Sequence, residues 1–501
     1  MIINMVFNEK GAYSLATTNN ACVDLFFKMT QDVYQNPNFI EWIEKSWEES
    51  PLDTMKIIFQ SRDCRGGKGT KKTFIDAMRY LSYEHPDWIE ENMDIIPTFG
   101  RYKDWIKLMN DNTTDKIINL ICNQLKEDII NMNEGKSISL LAKWIPSEKK
   151  KLNKKNYITK LITKQLYEEH EKEPYKRFRK EYLTPLRYYL KIVENYMCSN
   201  KWEEIDFSIV PSCAMNRLKK AFQKHTPEKF ADWLNAIKEG RSKINAGQLQ
   251  PHEIAKHYIN GGEYDEVIEL QWQQIVENTS KLGNFENSIV LSDVSGSMDG
   301  VPMEVSIALG ILISSLTAEP FRNIVISFDT NPTMHIIPDT CTMLQQKVES
   351  MKEVPWGGTT DLYKVFELIL NRAIQYGLSP DQMPKRLYIL SDMQFDSAIE
   401  CECDIETVFE SIEYMYSKTI YTRPDIIFWN LRSDTTYDFP ISNNQKGVAT
   451  ISGFSPSILK NILNGDEITP YTIMRNVIDD ERYSIIKKPQ IHQKTFKDII
   501  K

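Results

Sequence analysis

The hydrophobic pattern of this 501-residue chain changes period near Gly283, and that change constrains the fold more than any single residue. From about Leu25 to Gln273 apolar residues recur at helical spacing, as in Phe74-Ile75-Met78-Leu81 and Trp233-Leu234-Ile237. Breaks fall at Pro51, Pro86, Pro97, Pro146, Pro185, Pro211 and Pro227, which predicts many helices joined by short turns. No fixed-period repeat accompanies them, so a repeat-like scaffold is inferred from helix density alone. After Gly283 short β-branched runs alternate with amphipathic segments: SIVLS, a helix from Pro302 to Leu316, NIVISF, MHIIP, a helix from Thr360 to Tyr376, RLYILS, DIIFWNL and GVATIS. Near-continuous apolar strands separated by helices predict a doubly wound, mostly parallel, Rossmann-like sheet covered on both faces. The expected fold class is therefore α + α/β, with an all-helical scaffold preceding the sheet domain.

Three polar segments stand beside the expected strands. Asp293-Val294-Ser295-Gly296-Ser297-Met298 follows SIVLS, Gly357-Gly358-Thr359-Thr360-Asp361 opens a helix, and Ser391-Asp392 ends RLYIL. All three belong at the carboxyl edge of one sheet, where open α/β folds place their ligands. Asp293, Ser295, Ser297, Thr359 and Asp392 form a hard oxygen set suited to Mg2+, with Mn2+ or Ca2+ as alternatives. Gly296 is expected to permit the turn. The bland alternative is a surface turn whose Asp caps the next helix.

In this order, DVSGSM, GGT and SD resemble the metal-ion-dependent adhesion site of von Willebrand factor A domains. That resemblance implies Mg2+ held by Ser295, Ser297 and Thr359, with Asp293 and Asp392 binding directly or through water and one position left for a partner's carboxylate. Met393 departs from the pattern, since many members carry Gly after the Asp. SRDCRGGKGTKKT, AKWIPSEKK, LTPLR, VPSCAMNRLKKAFQKH, KINAGQLQPHEI, IIFWNLR and GVATISGFSPSIL look like a eukaryotic and viral family of unknown function that joins a helical region to a von Willebrand A-like domain. The order of parts is also similar to the Ro autoantigen (TROVE) proteins, which implies RNA as a ligand of the helices. The expected division is a TROVE-like helical scaffold over 1–280, a von Willebrand A-like domain over 285–465, and a tail over 466–501 that packs back.

Charge bears on the RNA expectation. The net charge is −8, yet the stretch from Lys143 to Lys180 holds 13 basic and 5 acidic residues, a local +8. Lys149 to Lys155 and Lys176 to Lys180 mix cations with Trp144, Tyr157 and Phe178, so Lys150, Lys151, Lys154, Lys155, Lys176, Arg177 and Arg179 are candidate phosphate contacts. Arg62, Arg65 and Lys68 in the Gly-rich SRDCRGGKGT connection are further candidates, with a solvated turn as the alternative. A P-loop is excluded there, because Lys68 is followed by Gly69 and the Gly five before Gly67 is replaced by Arg62.

Catalytic constellations are poor. His252 and His257 are five apart, which does not give the i, i+4 pair of a zinc helix, and no G-x-S-x-G elbow occurs. The eight cysteines lack paired C-x2-C spacing, and no basic leader with an apolar core opens the chain. The expectation is a cytoplasmic, non-enzymatic adaptor that uses Mg2+ to bind a protein carboxylate and also takes RNA, without a membrane partner. A Ro-like RNA quality-control protein and a metal-dependent hydrolase at Asp293 and Asp392 are the alternatives.

Overall fold

The apolar runs after Gly283 pair into one six-stranded sheet. The computed structural model describes residues 5–7, 13–146, 154–168, 170–283, 285, 287–354, 361–393, 405–432, 442, 444–460 and 468–489. Its strands are β1 (Met5–Phe7), β2 (Tyr13–Leu15), β3 (Ser288–Ser292), β4 (Ile324–Ser327), β5 (Met334–Ile336), β6 (Arg386–Ser391), β7 (Asp425–Asn430) and β8 (Val448–Ser452). β1 and β2 form a short antiparallel pair that the helical pattern does not announce. The other six lie in the order β5-β4-β3-β6-β7-β8, parallel except for the edge strand β5.

Alternation along the strands explains why both faces are covered. Ile289, Leu291, Ile326, Leu387, Ile389 and Phe428 share one core with the helix Leu362–Tyr376. Their neighbours Val290, Val325, Tyr388, Leu390, Ile427 and Trp429 share another with the helix Val301–Leu316. That helix is buried from Glu304 through Ser314, because the helix Pro251–Ile259 packs on the side away from the sheet.

Close approach of helix and sheet depends on Gly310. A Cβ there would lie 2.4 Å from the Ser292 hydroxyl, which donates to Ser306 O at 3.3 Å. Gly310→Ala should therefore cost about 1–2 kcal/mol by displacing that buried hydroxyl. In a Ser292→Ala background the same change should become neutral or stabilising by up to about 1 kcal/mol, since Ala is the better helix former. Urea midpoints of the four proteins in this cycle check it; equal costs of Gly310→Ala in both backgrounds would defeat the account.

Compactness divides the chain differently from its pattern. One unit comprises Met1–Thr73 and Asp206–Asp480, the other Phe74–Ile205 and Glu481–Lys501. The helices before residue 280 are thus not one array, because their first and last parts complete the sheet's own unit. Phe27, from the helix Ala21–Lys28, is fully buried in the core over β3, β6 and β7. Glu269 accepts from the backbone N–H groups of Leu344 (2.8 Å) and Gln345 (3.1 Å), capping the helix Leu344–Met351.

The other unit is helical. Its helices include Pro86–Asn92, Thr114–Asn133, Lys154–Leu166 and Thr184–Tyr189. Pro86 in this unit, like Pro51 and Pro227 in the first, occupies a first-turn position, so these breaks in the pattern are helix starts, where the missing N–H costs nothing. In the C-terminal segment Tyr483 stacks on Phe99 at 5.6 Å, and Lys487 exchanges two 2.8 Å hydrogen bonds with the Asn92 amide. Among the described residues no helix is long and apolar enough to cross a membrane.

Candidate functional site

The strand order reverses between β3 and β6, and the carboxyl ends of these two adjacent strands carry Asp293 and Asp392. The ladder continues one step past β3, since Asp293 N–H donates to Leu390 O at 2.9 Å. This fixes Asp293 beside the end of β6. Ser391 Oγ donates to Asp293 Oδ2 at 2.9 Å, and Ser295 N–H donates to Oδ1 at 2.9 Å. The Ser295 and Ser297 hydroxyls are 3.0 Å apart. Four of the five expected ligands are thus placed by two neighbouring strand ends; Thr359 lies outside the described residues.

Both carboxylates are enclosed, Asp293 at 0% and Asp392 at 1% exposure. Burial, followed by the charge of Asp392, pushes the Asp293 carboxyl up to about 6, against the pull of its Ser295 and Ser391 hydrogen bonds. A hard cation would offset both causes, and the hydroxyls beside it are oxygen donors of the matching kind, so these residues fit Mg2+. Among the described residues no three His, Cys, Asp or Glu side chains gather as a metal cluster, so the fit rests on two carboxylates and hydroxyls.

One local expectation is corrected. Gly296 is exposed, has open space where a Cβ would lie, and does not take a positive φ. The glycine this turn requires is Gly300, at φ 88°, which precedes the helix Val301–Leu316. Met393 adopts φ 66° at 4% exposure, so apolar burial offsets the strain that Gly would avoid at this position.

One residue of this edge, Arg432, carries no motif of its own. Leu431 N–H donates to Ser391 O at 3.0 Å, carrying the strand pairing past β7, and the next side chain donates from Nη1 to Ser297 O. The available signal is an Arg directly after an apolar strand at the same sheet edge, and only the strand order makes it meaningful.

The expected RNA contacts separate. Arg62 and Lys68 are withdrawn from that role because they are buried, at 0% and 2% exposure. Lys68 Nζ donates to Phe26 O and, at 2.6 Å, to Ser452 Oγ, and lies 4.5 Å from the Phe26 ring; burial pulls its pKa well down. Arg65 is exposed. Lys150 and Lys151 lie outside the described residues, and Lys154 and Lys155 open the helix Lys154–Leu166. Lys176 pairs with Glu173 at 2.8 Å, while Arg177 pairs with Glu171 at 2.7 Å and Glu181 at 2.9 Å. Arg179 is exposed and begins a π-helical turn, Arg179–Leu183. Lys176 and Arg177 are therefore offset by Glu171, Glu173 and Glu181, which lowers the free positive charge of this part of the stretch. His252 packs its ring against Phe454 at 5.3 Å.

Comparison with known proteins gives the same two-part order. The family model described as Domain of unknown function (DUF2828) matches residues 8–117 and 112–285, and Domain of unknown function (DUF7788) matches residues 287–498. The chain is 34% identical to "Uncharacterized protein L728" of Acanthamoeba polyphaga mimivirus, covering 95% of this chain and 87% of that protein.

Proposed function

Since the chain belongs to the DUF2828 family, with a DUF7788 region following in the same polypeptide, we propose that it is a non-enzymatic adaptor whose sheet edge binds Mg2+ and, through it, an acidic protein ligand. The observation that carries this reading is the burial of Asp293 beside Asp392 at the point where the strand order reverses. In this reading the domain is of the von Willebrand A type. Asp293 and Asp392 supply the negative charge, while Ser295, Ser297 and Thr359 supply neutral oxygens. Ser391 orients Asp293 through its 2.9 Å bond. The cation, when bound, offers a Lewis-acidic position to a ligand oxygen. Titration with Mn2+, followed through loss of its free EPR signal, tests cation binding. Capture of Asp- or Glu-containing peptides with Mg2+ and with EDTA tests the ligand; capture indifferent to EDTA would defeat the adaptor reading.

A second ligand, RNA, has one specific support in the helical unit. Arg101 and Lys103 lie 5.7 and 5.6 Å from the half-buried Trp144 ring, at the start of the +8 stretch. An aromatic face flanked by cations can stack a base and neutralise phosphate. Replacing Lys150, Lys151, Lys154 and Lys155 with Gln should weaken RNA retention across sequences. The slope of log K against log salt should fall by about 0.7–0.9 for each phosphate left without its lysine. Filter binding over a salt series checks it, and an unchanged slope would remove this reading.

A further inference from the structure

Resting on the cation reading above, we propose that Arg432 is the positioning residue of the site: it ties the Ser295–Ser297 turn into its ligating conformation before a cation arrives. The chain path makes this tether possible. β7 is the strand beyond β6, and β6 is the neighbour of β3, so a side chain leaving the end of β7 toward Ser297 crosses the edge that carries Asp392. Arg432 is aimed by its own backbone, whose N–H donates to Asn430 Oδ1 at 2.9 Å and ends the strand in an Asx-type turn. Its guanidinium then donates to the carbonyl of Ser297, one of the expected ligands.

The turn is held at its two ends, by the Ser295 N–H bond to Asp293 Oδ1 and by the buried Met298 side chain, and between them the tether fixes the Ser297 carbonyl. Met298 N–H donates to Ser295 O at 3.0 Å and Asp299 N–H to Gly296 O at 3.3 Å, closing a single 3-10 turn between an exposed Gly296 and the left-handed Gly300. Within this turn the two serine hydroxyls lie 3.0 Å apart. Arg suits the task, since its planar fork reaches farther and holds direction better than an ammonium.

Charge and tether predict opposite signs. A guanidinium near a cation site repels the ion, so if charge alone mattered, Arg432→Gln would tighten Mn2+ binding. If Arg432 sets the turn, the same variant loosens it.

The experiment compares the parent protein, Arg432→Gln and Arg432→Lys by Mn2+ titration, and follows hydrogen exchange of the Met298 and Asp299 amides in EDTA. The expected result is Mn2+ affinity about tenfold lower in Arg432→Gln, the worth of roughly one well-made hydrogen bond. Faster exchange of both amides should accompany it, and Arg432→Lys should recover part of each. Equal or tighter Mn2+ binding by Arg432→Gln, with the parent binding normally, overturns this inference alone. Failure of the parent to bind Mn2+ overturns the cation reading, and this inference with it.

Discussion

Replacing Asp293 with Asn is expected to abolish Mn2+ binding while making the cation-free protein more stable at neutral pH. The substitution keeps the shape and leaves an oxygen to accept from Ser295 N–H, now 2.9 Å from Oδ1. It removes one of two buried charges, and at short range in a protein interior that loss should lower affinity for a divalent ion by at least about a hundredfold. The stability effect follows from the raised pKa. Because the folded carboxyl titrates near 6 rather than at 3.8, the folded state holds its proton more firmly than the unfolded chain. Its contribution is then fully present below pH 3.8 and is lost as pH rises through 6. At pH 7 the ionised, buried Asp293 should cost the cation-free protein about 2–3 kcal/mol relative to Asn, with the difference vanishing near pH 4. Saturating Mn2+ at about a hundred times Kd should return about 2.7 kcal/mol to the parent and nothing to the variant. Urea unfolding at both pH values, with and without Mn2+, reads all of this. An Asp293→Asn protein less stable than the parent at pH 7 in EDTA would mean that Asp293 serves the core, and the cation reading would fall.

The legible part of this site is the part encoded along one strand and its loop. Asp293 can be read because five buried residues, SIVLS, announce a central strand, and the residue after a parallel strand must lie at the carboxyl edge. Asp392 follows from the same logic applied to β6. That the two strands are neighbours does not follow from either segment, since the chain makes β4 and β5 between them. Arg432 is hidden for that reason: its meaning depends on β7 lying beside β6, a long-range fact. Lys68 is misread because local composition carries no burial. A Gly-rich run with several cations looks like a solvated turn, and the segments that enclose Lys68 come from Phe26 and from β8, 384 residues further on. The helical spacing before residue 280 likewise reports helices but not their partners, so it does not separate those that serve the sheet from those of the 74–205 unit.

Gly67 gives the largest stability effect expected in the Gly-rich connection, for a reason of space rather than backbone freedom. A Cβ at Gly67 would lie 2.0 Å from the carbonyl oxygen of Gln60 and 3.0 Å from Asp63 Cβ. The nearest obstacle is backbone, which cannot rotate away. Gln60 O, moreover, accepts from Lys68 N–H at 3.2 Å, and the loop is further pinned by Gly69 N–H to Asp63 O (3.1 Å) and Thr70 N–H to Ser61 O (2.7 Å). Moving the loop enough to admit a methyl group would break this set and the 3.1 Å bond from Ser457 Oγ to Gly67 O. It would also pull Lys68 from the carbonyl and hydroxyl that satisfy its buried Nζ. Gly67→Ala should therefore cost more than about 3 kcal/mol. Gly69→Ala is the internal comparison: Gly69 has φ 73°, and its Cβ would meet only the Gln250 amide at 3.3 Å. Left-handed strain of about 1–2 kcal/mol is all that change should cost. Urea midpoints of the full chain rank the two. If Gly67→Ala unfolds with the parent, or later than Gly69→Ala, the Gly-rich run is not clamped between the helix Pro51–Arg62 and β8, and its exposure to a ligand becomes the better explanation of its sequence.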